Sequence, residues 1–208
     1  MEKFHFSYGF TPHQHQLTTP AAALKAFASA QLPQTGIANF ALRPIQIEDL
    51  VDWFDYLQQE TVKALMSWDV KSPQDLQQFI QSQWYSPQQN QIKWAITDQS
   101  LDRLIGTIGF HSIDLQNESC EVAYDLNPTY WNRGIITQIC QQMTAWAHQE
   151  MKFQRIAASV MLENHGSRRV LEKSGYNLEG VMRSYRKVRG IHRDYFLFSS
   201  LRNIHSAP

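Results

Sequence analysis

The sequence predicts a mixed α/β domain: a mostly antiparallel central sheet of about seven strands flanked by helices, with an N-terminal extension. Three observations carry that prediction. The hydrophobic period switches repeatedly between two and 3.6 residues along the chain. Residues 92–97 and 104–112 are two apolar, β-branched runs joined by the turn-like Thr97-Asp98-Gln99-Ser100-Leu101-Asp102-Arg103, which predicts a hairpin. The order of segments is strand, two helices, three strands, helix, strand, helix, two strands, and it shows no internal repeat.

In chain order, residues 1–36 stand apart as an extension, with His5, His13 and His15, three prolines and few charges. Within it Thr19 is a cap and Pro20 a first-turn residue for a short helix running to about residue 30. His13 and His15 have no carboxylate or cysteine cluster near them, so no metal site is expected. The domain proper is placed at 37–203, followed by a tail at 204–208.

Residues 40–44 form a first strand. Leu50, Val51, Phe54 and Leu57 fall at helical spacing and predict a helix over 48–59. Ser72 followed by Pro73 opens a second helix, with Leu76, Phe79 and Ile80 on one face. After the hairpin, residues 118–126 alternate: Cys120, Val122, Tyr124 and Leu126 on one face, Glu121, Ala123 and Asp125 on the other. Ile136, Ile139, Cys140, Met143, Trp146 and Ala147 mark a long amphipathic helix. Residues 155–161 make an apolar strand, Asn164 caps a helix ending before Gly175, and 176–183 and 193–201 complete the sheet.

Composition narrows the function classes. Nineteen Lys+Arg balance nineteen Asp+Glu, which argues against a nucleic-acid or anionic-membrane coat, although a local basic patch is compatible with it. Cys120 and Cys140 are too few for a disulfide scaffold. No stretch approaches the ~18 apolar residues a membrane span needs. The alanine-rich run at 21–30 imitates the end of a signal peptide, but Lys25 interrupts it and no basic start precedes it. A cytoplasmic protein is expected.

The passage from strand 118–126 into the long helix reads Asn127-Pro128-Thr129-Tyr130-Trp131-Asn132-Arg133-Gly134-Ile135-Ile136-Thr137. A helix start offers unpaired N–H groups and the positive end of the dipole, a seat for an anion such as a pyrophosphate. Plain turn chemistry is the alternative reading of the same residues.

With its neighbours, this passage resembles the GNAT acetyltransferases, most closely the RimJ/RimL-like branch that acetylates protein N-terminal amines. The resemblance spans 40–201. It runs through Leu42-Arg43-Pro44, Glu121-Val122-Ala123-Tyr124-Asp125-Leu126, Tyr130-Trp131-Asn132-Arg133-Gly134, Asn164-His165-Gly166-Ser167, Leu171-Glu172-Lys173-Ser174-Gly175-Tyr176 and Gly190-Ile191-His192-Arg193-Asp194. It implies acetyl-CoA as acetyl donor and a primary amine, such as a protein N-terminus, as acceptor, attacked directly on the thioester. Partners beyond that amine are not implied: no membrane, no nucleic acid, and a monomer or homodimer.

By position, the resemblance assigns the pyrophosphate to backbone groups of Asn132, Arg133, Gly134, Ile135, Ile136 and Thr137. The strand ending at Leu126 would splay from strand 155–161 and expose its backbone to the pantetheine arm. Asn164 would hydrogen-bond near the pantetheine or the thioester end, a role compatible with capping. Glu121 is the candidate base, with a solvated or ion-paired carboxylate as the other reading. Ser167 would assist the departing thiolate, or simply sit in the first turn of its helix. Four positions depart from the family pattern: Asn132 for a frequent glycine, Ile136 for Gly or Ala, Gln138 for glutamate, and Leu171 for a tyrosine. A β-branched Ile136 would crowd backbone meant to meet phosphate.

Two charge patterns complete the reading. Asp114, Glu118, Glu121, Asp125 and Asp194 would draw a cationic amine if they gather at one end of the sheet. Arg183, Arg186, Lys187, Arg189 and Arg193 would grip an adenosine phosphate or a ribosomal surface, or form a solvated loop. The alternative functions are a polyamine or antibiotic acetyltransferase, or a degenerate member that binds CoA or a partner without turnover.

Overall fold

A computed structural model describes residues 31–85 and 90–202. Seven strands form one sheet: β1 (Phe40–Pro44), β2 (Ile92–Asp98), β3 (Arg103–Asp114), β4 (Ser119–Leu126), β5 (Arg155–Met161), β6 (Asn177–Val188) and β7 (Ile191–Leu201). Their order is β1-β2-β3-β4-β5-β7-β6, and every neighbouring pair is antiparallel except β4–β5. Among the described residues, five helices flank it: α1 (Leu50–Leu57), α2 (Glu60–Lys63), α3 (Pro73–Tyr85), α4 (Ile135–Gln149) and α5 (His165–Lys173).

Strand alternation divides the core between the two faces of the sheet. Ile92, Trp94 and Ile96 of β2 join Ile108, Val122 and Ile156 against Ile139, Met143 and Trp146 of α4. Ala95, on the opposite face of β2, joins Trp53, Tyr56, Leu76 and Ile80 of α1 and α3. Gly109 of β3 is required by close approach: a Cβ there would stand 2.1 Å from the Ile92 carbonyl oxygen.

The helix expected over 48–59 is broken. Residues Ile47–Asp49 form a short 3-10 turn before α1. The buried Asp49 carboxylate accepts the Gln46 N–H at 2.8 Å and pairs with Arg43 at 2.6 Å, so a side chain competes for the turn. α2 was not predicted, because its four residues present one buried apolar side chain, Val62, and no period. β6 continues to Val188, past the expected end at 183. It is an edge strand exposed along most of its length, so its sequence carries little alternation.

The part of the expected extension that the structure describes lies against the domain. Leu32 packs on the core, Thr35 is buried, and the Gln31 carbonyl accepts the Trp146 indole N–H at 3.0 Å. The helix expected from Thr19 to about residue 30 and the tail at 204–208 lie outside the described residues.

Candidate active site

The site begins where the sheet comes apart. β4 and β5 pair only at Ser119–Arg155, Cys120–Ile156 and Glu121–Ala157, and then diverge. The Asn127 N–H bonds to the Ile105 carbonyl, so by antiparallel alternation Asp125 and Ala123 turn their backbone groups to β3. Val122, Tyr124 and Leu126 turn theirs into the gap. An open strand edge in the middle of a sheet suits a ligand with amide groups of its own. The Leu126 carbonyl is already taken, by the Trp131 indole N–H at 2.7 Å.

From β4 the chain passes through a short 3-10 turn, Pro128–Tyr130, into α4. The turn is tied by Asn127 Oδ1, which accepts the Thr129 N–H at 3.0 Å, and by the Tyr130 hydroxyl on Asp98 at 3.0 Å. Asn132 at φ 60° and Gly134 at φ 75° then bend the backbone in the left-handed region. Among the described residues, no N–H from Asn132 to Thr137 meets an acceptor. A Cβ on Gly134 would find nothing within 4 Å. Open N–H groups at a helix start suit an anion, and the chemistry of a pyrophosphate matches them. Ile136 turns its side chain to the core, part-buried. Arg133 lies over the Tyr130 ring at 5.3 Å.

Beside the gap lies a cavity of about 450 Å³, lined by both sides of the splay and by residues 65–68. Glu121, Asn164 and Ser167 all line it. Asn164 Oδ1 accepts the Ser167 N–H at 3.0 Å, capping α5. The Tyr124 hydroxyl donates to the Ser167 carbonyl at 3.1 Å, and burial pushes that phenol well up, so it stays protonated. Leu171, at the position of the family tyrosine, is buried in the cavity wall.

Glu121 is surrounded by partners. Ser159 Oγ donates to its Oε1, Arg186 Nη2 approaches that oxygen at 3.3 Å, and His111 Nε2 lies 3.8 Å away. Deeper in, Asp125 accepts the hydroxyls of Tyr56 and Thr107 and pairs with Lys93 at 3.4 Å. Lys93 Nζ lies 5.8 and 5.7 Å from the Trp53 and Trp68 rings.

The other acids expected nearby are elsewhere. Asp114 accepts the N–H groups of Gln116 and Asn117, Glu118 faces Arg202 at 3.5 Å, and Asp194 accepts the Ser184 N–H at 2.8 Å. In the basic run, Arg186 joins Glu121, Arg189 bonds the carbonyls of Lys63 and Met66, and Arg193 pairs with Glu163 at 3.2 Å. The sequence reading missed Lys93, His111, Ser159 and Tyr124. The signal available for Lys93 was a charge among the apolar residues that open its strand. Cys120 and Cys140 are buried, and burial pushes the Cys140 thiol up to about 11, so neither is a nucleophile. No cluster of metal-binding side chains and no membrane-spanning helix occurs among the described residues.

Residues 39–177 match the acetyltransferase (GNAT) domain, and the chain belongs to that family. An uncharacterized N-acetyltransferase p20 of Bacillus licheniformis is 30% identical over 168 residues, 79% of this chain and 93% of that protein. The ribosomal-protein-serine acetyltransferase of Escherichia coli is 27% identical over 100 residues, 48% of this chain and 56% of its own length. In fold, the chain superposes on a ribosomal-protein-S5-alanine acetyltransferase from Vibrio fischeri with TM-score 0.70 at 20% identity, over 82% of this chain and 97% of that one. The protein is an N-acetyltransferase, and its donor is acetyl-CoA.

Proposed function

We propose that the chain acetylates the α-amine of a protein N-terminus, with Glu121 facing the amine and taking its proton. The observation that carries the acceptor class is the charge balance of the cavity. Its two carboxylates are matched one for one: Glu121 by Arg186 at 3.3 Å and Asp125 by Lys93 at 3.4 Å. A polyamine carries several positive charges and calls for carboxylates without cationic partners. A peptide N-terminus brings one amine and a run of amide groups, which suits a wall of paired charges and hydroxyls. Its α-amine has a pKa of about 8 against about 10.4 for a lysine, so a modest base suffices. The likeness to ribosomal-protein acetyltransferases supports the same class.

The donor supplies an acetyl thioester. Backbone N–H groups of Asn132 to Thr137 hold its pyrophosphate. Val122 and Tyr124 offer backbone to its amide arm. Asn164 Oδ1 fixes the first turn of α5, and that turn sets Ser167 beside the departing sulfur.

The test is thiol release from acetyl-CoA with three acceptors: a peptide with a free N-terminus, a lysine peptide with its N-terminus blocked, and spermidine. The free N-terminus is expected to give a kcat/KM at least about tenfold above the others. Preference for spermidine would overturn the acceptor class. Glu121→Gln is expected to lower kcat about a hundredfold, with the acetyl-CoA Kd unchanged, and full activity would remove Glu121 from the reaction.

A further inference from the structure

We infer that His111 is a second proton-accepting residue of this site, holding the acceptor amine jointly with Glu121. The inference rests on the amine-acetylation reading above and deepens it. His111 and Glu121 are register partners on β3 and β4, and both line the cavity. His111 Nε2 and Glu121 Oε1 stand 3.8 Å apart, too far for a hydrogen bond between them. That separation is the span an N–H donor bridges when it lies about 2.8–3.0 Å from each of two acceptors. A nitrogen with two or three hydrogens is such a donor.

The backbone is shaped to present this ring. The β3–β4 register breaks between His111 and Asp114, and Ser112 sits at φ 51° in the irregularity. Bulges beside active sites re-aim side chains. Ser112 Oγ then meets His111 Nδ1 at 3.1 Å. In the tautomer that donates Nδ1–H to that hydroxyl, Nε2 offers its lone pair to the cavity.

The charges facing the ring come from three strands. Burial lowers the His111 pKa below the usual imidazole value. Glu121 on β4 opposes the shift, and Arg186 on β6 and Lys93 on β2 reinforce it. The imidazole is therefore neutral at pH 7 and ready to accept. Glu121, by contrast, already receives Ser159 and Arg186, and both bonds gain from its charge.

In the step, the amine lone pair forms the N–C bond to the acyl carbon as the C–S bond breaks and its electron pair goes to sulfur. Glu121 takes the proton that an ammonium acceptor sheds before attack. The second proton, lost by nitrogen as the N–C bond forms, passes to His111 Nε2, and both groups return their protons to water. The thiolate leaves, accepts a hydrogen bond from the Ser167 hydroxyl and takes its proton from solvent.

The experiment measures kcat against pH at saturating acetyl-CoA for the wild type, His111→Gln and His111→Asn, using whichever amine the wild type turns over best. The wild type should show an acidic limb below about 6.5. Both variants should lose that limb and about a hundredfold in kcat, with acetyl-CoA affinity by calorimetry within about twofold of wild type. Wild-type kcat and pH profile in the variants would overturn the inference. Loss of acetyl-CoA binding would also overturn it, by assigning His111 a structural role. Glu121→Gln, run in parallel, separates the two readings: an active Glu121→Gln beside a crippled His111→Gln removes Glu121 and keeps His111.

Discussion

Gly134 carries two demands at once. Its φ of 75° strains any residue with a side chain, and the direction a Cβ would take is empty of protein. The first costs roughly 1–2 kcal/mol of stability. The second places a methyl group where a phosphate oxygen would approach the N–H groups of α4. Gly134→Ala is expected to weaken acetyl-CoA binding at least about tenfold, more than its loss of stability accounts for. Gly134→Asn separates the two effects, since Asn tolerates the left-handed region better but keeps a Cβ. Calorimetric titration beside a thermal melt reads both, and normal affinity in both variants would remove the cradle from cofactor binding. Gly134 was visible from sequence because a turn residue before a helical period is a local signal. The partners of Glu121 were not. Ser159, Arg186 and His111 lie on three other strands, and which side chains meet across a sheet depends on register and strand order, which no local pattern encodes.

At the scale of elements, the long amphipathic α4 and the alternating β4 were legible, because each buries one face and exposes its period. The 3-10 turn before α1, the single turn of α2 and the far end of β6 were not. The first is decided by the Asp49 side chain, and the others present too few buried positions to impose a pattern. β6 holds to the sheet partly through an ion pair that reaches across β7. Arg155 of β5 donates to Glu179 of β6 at 2.7 Å, and Ser199 of β7 donates to the same oxygen at 2.6 Å. Together they lower the Glu179 pKa from 4.5 to about 2. A carboxyl depressed in the folded state adds stability above its unfolded value and loses it as pH falls through the folded one. The window is therefore pH 4.5 down to about 2. Both side chains are about a third exposed, at 36% and 34%, so screening keeps the contribution to about 0.5 kcal/mol. Glu179→Gln is expected to lower stability by that amount at pH 7 and to flatten the acid limb within the window. Denaturant melts at a series of pH values check it, and an unchanged limb would show that the pair contributes nothing.

Across the whole molecule, an early segment and a late one meet beside the cavity. The α1–α3 layer comes from the first half, and the β6–β7 hairpin from the last residues of the sheet. Arg189, at the hairpin tip, donates to the carbonyls of Lys63 and Met66, and Tyr195 shares a hydrogen bond with Ser67 at 2.8 Å. Residues 65–68 form one wall of the cavity, so the hairpin holds that wall in place. As a sequence pattern, the basic run suggested a grip on phosphate or on a ribosomal surface. In the fold, three of its members tie neighbouring elements together, Arg186 and Arg193 through carboxylates and Arg189 through two carbonyls that one guanidinium satisfies at once. Arg189→Ala frees those carbonyls and loosens the wall without touching the α4 cradle. It is expected to raise KM for the amine about fivefold, to leave the acetyl-CoA Kd within about twofold, and to lower stability by about 1 kcal/mol. Arg189→Lys, which can satisfy one carbonyl at a time, should fall between. Initial-rate kinetics with the amine varied, set beside calorimetry with acetyl-CoA, distinguish this from a general loss of fold. If KM for the amine stays at the wild-type value while stability falls, the hairpin braces the domain but does not shape the acceptor wall.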